Sequence, residues 1–252
     1  MLSPLTDRGW TPEATAVLDR AIAHYGGLEA WRKVRTIRLV PNRLSGLVPW
    51  LKGVGRTFPL PTVFEVDPHE RVARFLRYPA PEHVGVFQNG SVRIERADGS
   101  GVVSESGAHR ETFRGFSKAR RWSPLDALYF FGYALTHYHS LPFSLLEARL
   151  VRASRANAGA PDELDVELPA DLPTHGRRQR FYFDAEGRLT RHDYHAEIVG
   201  FWARGAHFWH RQVRVEGFPV SLERHVVGRL GHVTTPLVAL RATFHEAEVV
   251  TR

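Results

Sequence analysis

The chain opens with a helical repeat and then changes period. Ala14, Val17, Leu18, Ala21 and Ile22 recur at three- and four-residue steps, which puts one apolar stripe on a helix. Thr11 is placed to cap its first turn, Pro12 to occupy the first helical position and Glu13 to meet the helix dipole, and Gly26-Gly27 stops it. After the short turn LEAWRKV, the stretch 36–51 is extended or turn-like, punctuated by Pro41, Gly46 and Pro49. Apolar runs then predict strands at 63–67, 71–78, 84–88 and 92–96, with Asn89-Gly90 as a two-residue hairpin turn, and Gly99, Gly101 and Gly107 mark turns around VVSES. The second half predicts strands at 148–154, 163–169, 178–184, 188–200, 206–217, 218–229 and 237–250, the third and fourth joined through an Asp184–Gly187 turn. Segment 155–162 is the one place where a flexible insertion is expected. Connections this short imply an antiparallel meander.

One segment breaks the β rhythm. Ser123-Pro124-Leu125-Asp126 combines an N-cap, a first-position proline and a first-turn acid, and LDALYFFGYALTHY after it is apolar on almost every side. A helix over 124–138, buried against a sheet, is predicted. The fold class is therefore mainly β: a curved antiparallel sheet of about ten or eleven strands, too many to stay flat, forming an unclosed barrel. The N-terminal helix and the apolar helix accompany it, the latter packed into or over the mouth, and residues 1–252 are expected to form a single domain. Such a wall leaves a cavity where side chains do not fill it. Candidate liners among the 28 aromatics include Phe75, Phe87, Phe130, Phe131, Tyr133, Phe181, Phe183, Tyr194, Phe208 and Trp209, although an ordinary core uses the same residues.

Composition narrows the chemistry. A chain of 252 residues, 43% hydrophobic, can bury a core without staples, and the absence of cysteine excludes disulfides, cysteine-ligated zinc, iron–sulfur clusters and thiol nucleophiles. The formal charge of +7 comes from 34 basic against 27 acidic residues, and only Lys33, Lys52 and Lys118 are lysines. The densest basic run, Arg110 to Arg121, is short and holds no known nucleic-acid motif, so no nucleic-acid partner is expected. No apolar run reaches the roughly 18 residues of a membrane span. The N-terminus has no basic region followed by an apolar one, and a cytoplasmic setting is expected. Nucleophile-elbow, phosphate-loop, dinucleotide and HExxH signatures are absent.

Histidine is the anomaly. Eight of the 14 fall between His175 and His245, and RHDYHAEIV followed by AHFWHRQ brings His192, His195, His207 and His210 onto two successive strands. Imidazoles so placed could be metal ligands, polar pocket groups, or ordinary surface and core residues. Strand alternation puts His192 on one face with Tyr194 and puts Asp193 on the other with His195. Asp193 could hold a histidine of the adjacent strand, and Arg224 could meet an anionic group or make a surface ion pair. His137-Tyr138-His139 falls at a helix end and is set aside.

Two resemblances bear on these residues. Gly132-Tyr133-Ala134-Leu135, Tyr138 and Pro142-Phe143 resemble an uncharacterised family of cytoplasmic bacterial proteins. So do Thr174-His175, Gln179, FYFD (181–184), Gly187, Leu189, Arg191-His192-Asp193-Tyr194, Ala196-Glu197, Gly200, Ala206-His207 and His210. His137, His139, His195 and Ser221-Leu222-Glu223 depart from that pattern, which leaves His192, Asp193, His207 and His210 as the stronger candidates. The order of elements, a helix ending HYGGLEAWRKVRTIRL and then many short strands under an apolar helix, is similar to the lipoprotein-carrier (LolA/LolB) half-barrel, which holds acyl chains. The same half-barrel is implied for the VioE-like, cofactor-free enzymes of violacein biosynthesis.

The expectation is a binder of a small, largely apolar molecule between the curved sheet and helix 124–138. His192, Tyr194 and His207 would supply polar contacts, Asp193 and His210 would support them, and Arg224 would stand at the rim. His175, Phe130 and Tyr133 would complete the pocket. The alternative is a VioE-like, cofactor-free biosynthetic enzyme using histidine acid/base catalysis on an aromatic or polyketide-like substrate, with Tyr194 or Arg224 stabilising charge. A third reading is metal-assisted hydrolysis by His192, His207 and His210. No cofactor or bound metal is expected. The partner is a small hydrophobic or aromatic molecule, with a homodimer as a further candidate.

Overall fold

The computed structural model describes residues 4–56, 62–154 and 160–252, so the insertion expected at 155–162 falls mostly outside the described residues. Among the described residues the α-helices are α1 (Pro12–His24), α2 (Gly27–Trp31), α3 (Leu47–Lys52) and α4 (Pro124–Ser140). In α1, Thr11 accepts a hydrogen bond from the Ala14 N–H, and Ala14, Val17, Leu18, Ala21 and Ile22 are the buried residues, which is the stripe that the spacing requires. Ser123 and Asp126 close a reciprocal capping box at the start of α4, which runs two residues past the predicted end.

The strands are β1 (Val34–Ser45), β2 (Val63–Asp67), β3 (Val72–Leu76), β4 (His83–Gln88), β5 (Ser91–Arg96) and β6 (Val102–Ser106) before α4. After it come β7 (Arg149–Ser154), β8 (Asp162–Glu167), β9 (Arg178–Phe183), β10 (Leu189–His195), β11 (Arg204–Val215), β12 (Phe218–Leu230) and β13 (Val233–Thr251). All thirteen form one sheet in the order β6-β5-β4-β3-β2-β1-β13-β12-β11-β10-β9-β8-β7, every neighbouring pair antiparallel. The first and last strands meet in mid-sheet, and β6 and β7 are the two unpaired edges. The barrel is not closed.

Thirteen strands exceed the eleven predicted because β1 and β6 lack a clean alternation. Pro41 interrupts β1, and the sheet accommodates it with register shifts on either side, where a missing N–H costs least. β6 is an edge strand with no buried residue. The Asn89-Gly90 turn is as predicted, with both residues at positive φ (46° and 91°) between the paired Gln88 and Ser91. β10 is shorter than expected because the chain turns at Ala196, whose carbonyl accepts from Val199.

α4 links one sheet edge to the other across a single face, and it shows that the sheet curves. Gly132 lies against Phe87 of β4, so close that an added Cβ would stand 2.3 Å from the Phe87 Cβ. Five residues further on, His137 bonds to Gln179 of β9. Eight inter-strand steps separate β4 from β9, about 38 Å if the sheet were flat. A helix about 10–12 Å across reaches both only if the sheet bends around it. Among the described residues, no helix is long and apolar enough to cross a membrane.

Candidate functional site

The hollow lies in the mid-sheet seam, opposite α4. Helical spacing brings Phe130, Phe131, Ala134, Leu135 and Tyr138 to one side of a cavity of about 280 Å³. Period-two alternation brings Tyr194 of β10, His207 of β11, Arg224 and Val226 of β12, and Leu240, Ala242 and Phe244 of β13 to the other. The register explains their proximity. His192, His207, Val226 and Leu240 are successive cross-strand partners, and Trp209, Arg224 and Ala242 form the next such row. A second hollow of about 360 Å³ shares Phe130, Tyr194, Val226 and Leu240 with the first and extends to Trp202 and Leu237.

Behind the lining sits a buried polar network that joins three of the expected site residues, Tyr133, His175 and Tyr194, through Tyr138, which the sequence does not mark as a site residue. The Tyr133 hydroxyl lies 2.9 Å from Nδ1 of His175, and the Tyr138 hydroxyl lies 2.5 Å from Nε2 of the same ring. Tyr138 in turn donates to the Tyr194 hydroxyl at 3.3 Å. If Tyr133 donates to Nδ1 and the Nε2–H donates to Tyr138, every group up to Tyr194 is satisfied. The Tyr194 proton is then left without an acceptor among the described residues. His175 also stacks on Tyr194 at 3.9 Å.

A second cluster centres on Gln179. Its Oε1 accepts from Nε2 of His137 at 3.0 Å and from Nε2 of His192 at 2.6 Å, while its Nε2 donates to Thr174 Oγ1 and the Gly176 carbonyl. The Nδ1 atoms of His137 and His192 are buried without a partner among the described residues. His207 is more exposed to this shortage: it is 1% accessible and neither of its ring nitrogens has a partner among the described residues.

Burial sets the protonation of the whole set. It holds His137 down to about 4 and His139 to about 3, and holds His175, His192 and His207 well below the usual imidazole value, with nearby cations and other imidazoles adding to the effect. Burial pushes the Tyr133, Tyr138 and Tyr194 hydroxyls upward. All are neutral near pH 7. Arg224 differs, since burial lowers it only to about 10 and its charge survives.

The predicted residues divide sharply. Phe130, Tyr194, His207 and Arg224 line the cavity. Arg224 is 3% accessible and lies in the wall, not at the rim, because the inward positions of β12 run Val220, Leu222, Arg224 and Val226. His175 and Tyr133 stand behind the lining, reaching it through Tyr138, and His192 is tied to Gln179. Asp193 holds no histidine. Alternation turns it to the opposite face, where it pairs with Arg191 and Arg229 and accepts from the Tyr182 hydroxyl. His210 is exposed and stacks beside Phe208, away from the cavity. His137 and His139, set aside in the sequence, are buried and bonded. Among the described residues, no three His, Asp or Glu side chains group so as to hold a metal ion, so the trio His192, His207 and His210 does not assemble.

No family model matches the chain, and no curated protein does. Among solved structures it is similar to a LolA superfamily protein from Nitrosomonas europaea, at 11% identity and a TM-score of 0.47, over 95% of this chain and 94% of that one. It is similar to a DUF1329 family protein from Desulfovibrio piger at 13% identity and a TM-score of 0.43, over 95% and 94%. A third likeness is to an uncharacterized conserved protein from Thermus thermophilus, at 10% identity and a TM-score of 0.26, over 95% and 89%.

Proposed function

We propose that this protein binds a small, largely apolar molecule in the cavity between α4 and the mid-sheet seam. One observation carries the reading: a hollow of about 280 Å³, walled mainly by Phe, Leu, Val and Ala, into whose lining a few buried polar groups converge. Tyr138 and Tyr194 bring hydroxyls, and His207 brings an imidazole with no other partner among the described residues. At about 30 Å³ for each water-sized group, there is room for on the order of ten non-hydrogen atoms, and the adjoining hollow accommodates a longer ligand.

The protonation pattern favours holding a ligand over proton transfer. Imidazoles kept far below neutrality and phenols kept far above it give and accept hydrogen bonds without exchanging charge near pH 7. Native mass spectrometry of gently purified protein, together with calorimetric titration of octan-1-ol, tests the reading. A co-purified apolar adduct or one-to-one octanol binding supports it. A protein that carries nothing and takes up no octanol does not have this function.

A further inference from the structure

We infer that the ligand is an organic monoanion whose carboxylate is held by Arg224 together with His207 in the cavity wall; this rests on the cavity-binding reading above. Arg224 is 3% accessible, and none of its contacts among the described residues is a carboxylate. Its Nη2 donates to Nε2 of His139 at 2.9 Å, and its Nε is buried with no partner among the described residues. His139 gives its own Nδ1–H to the Leu135 carbonyl, so it meets the guanidinium as a neutral acceptor. The rings of Tyr138, Trp209 and Phe244 stand 4.8–5.6 Å from the guanidinium carbon. Rings soften the burial of a cation but do not neutralise it.

The cavity contains no counter-charge either. Among the described residues no Asp or Glu lines it, and the other charged residue in its lining is Arg43, a second cation, which is exposed. His207 shares two of the rings that frame Arg224, with Tyr138 at 4.7 Å and Trp209 at 5.1 Å. It stands ready to add one N–H to whatever Arg224 binds. A single buried cation beside a neutral donor matches one negative charge, and a planar carboxylate suits the guanidinium fork. The apolar remainder of the hollow then takes the body of the acid.

Octanoate and octan-1-ol separate this inference from the reading beneath it. An apolar cavity without a cation prefers the alcohol, since an unpaired buried carboxylate is costly. In the intact protein at pH 7.5, calorimetry is expected to show octanoate binding at least tenfold more tightly than octanol. Arg224→Met is expected to reverse that order while still binding octanol. If Arg224→Met does not fold by circular dichroism, Arg224→Lys is read instead, and an acid preference that survives in weakened form supports the assignment. Octanol binding as well as octanoate leaves the cavity reading intact and overturns the anion. A preference lost in Arg43→Gln but kept in Arg224→Met overturns the choice of arginine. Binding of neither probe removes the cavity reading and the inference with it.

Discussion

Nη2 of Arg224 lies 2.9 Å from Nε2 of His139, a buried cation oriented by an imidazole that must stay neutral to receive it. The helix supplies that neutrality, because the Leu135 carbonyl four residues back takes the Nδ1 proton of His139 at 2.8 Å. This hydrogen bond therefore couples the wall of the cavity to the helix crossing it, beside the one from Tyr138 to Tyr194.

Removing the acceptor should expose this coupling. His139→Leu keeps an apolar body of similar size but leaves a buried guanidinium without its partner, a loss of about 2–3 kcal/mol. Urea unfolding at pH 7.5 should show the midpoint falling accordingly. An unchanged midpoint would mean that the pair adds nothing to stability.

The approach of α4 to the sheet is a separate test of the curvature. A Cβ at Gly132 would sit 2.3 Å from the Cβ and 2.5 Å from the Cγ of Phe87, both too close to the backbone to swing aside. Gly132→Ala gains helix propensity yet forces helix and strand apart, and a net destabilisation of about 1–3 kcal/mol is expected. Gly107→Ala is the control, since nothing lies within 4 Å of its added Cβ; a change within about 0.5 kcal/mol is expected. Equal thermal midpoints for the two variants would contradict the tight contact.

Acid should unfold this protein early. His137, His139, His175, His192 and His207 all have lower pKa values folded than unfolded. Below about pH 6.5 the unfolded chain takes up protons that the folded one refuses, so the stability present above that pH is lost as pH falls toward the folded values. Each group contributes about 1.4 kcal/mol per pH unit over that window. With five groups shifted in the same direction, stability is expected to fall steadily below about pH 6.5, toward the folded values of about 4 for His137 and about 3 for His139. Circular dichroism from pH 8 to 3 measures it, and a urea midpoint that stays flat from pH 7 to 5 would show that these imidazoles are not buried and neutral.

Much of the architecture could be read from periodicity, and much of the site could not. The stripe of α1, the Ser123–Asp126 cap and the Asn89-Gly90 turn follow from local rules, and local rules are what a sequence displays. β1 escaped because Pro41 breaks its alternation, and its place beside β13 depends on a pairing some two hundred residues away. In the site, alternation placed His192 with Tyr194 correctly and should have placed Arg224 inward with Val220, Leu222 and Val226. The charge suggested a rim, but the strand period was the stronger signal. Gln179 shares its inward face with Phe181 and Phe183, a polar residue in an apolar row, and that was the visible trace of the network. His137 and His139 are set aside in the sequence because they fall at a helix end, yet an enclosed helix buries residues all round, and both are buried. Tyr138 belongs to the family resemblance but carries no mark of a site residue, since an aromatic on an apolar helix fits an ordinary core equally well.

Filling the hollow distinguishes a binding site from a packing defect. Ala134 lines the cavity from α4 and is 5% accessible, so a larger side chain there has empty space ahead of it. Ala134→Phe places a ring in that space and should add buried apolar contact, raising stability by about 1 kcal/mol or leaving it unchanged. The same ring removes the volume that a ligand needs, so octanol and octanoate affinities should both fall at least tenfold. Loss of both probes with a preserved thermal midpoint is the expected result, measured by calorimetric titration and thermal unfolding on the same preparation. Unaltered affinity would move the ligand out of this cavity, and a sharp loss of stability would mean that the cavity wall is packed more tightly than its volume implies.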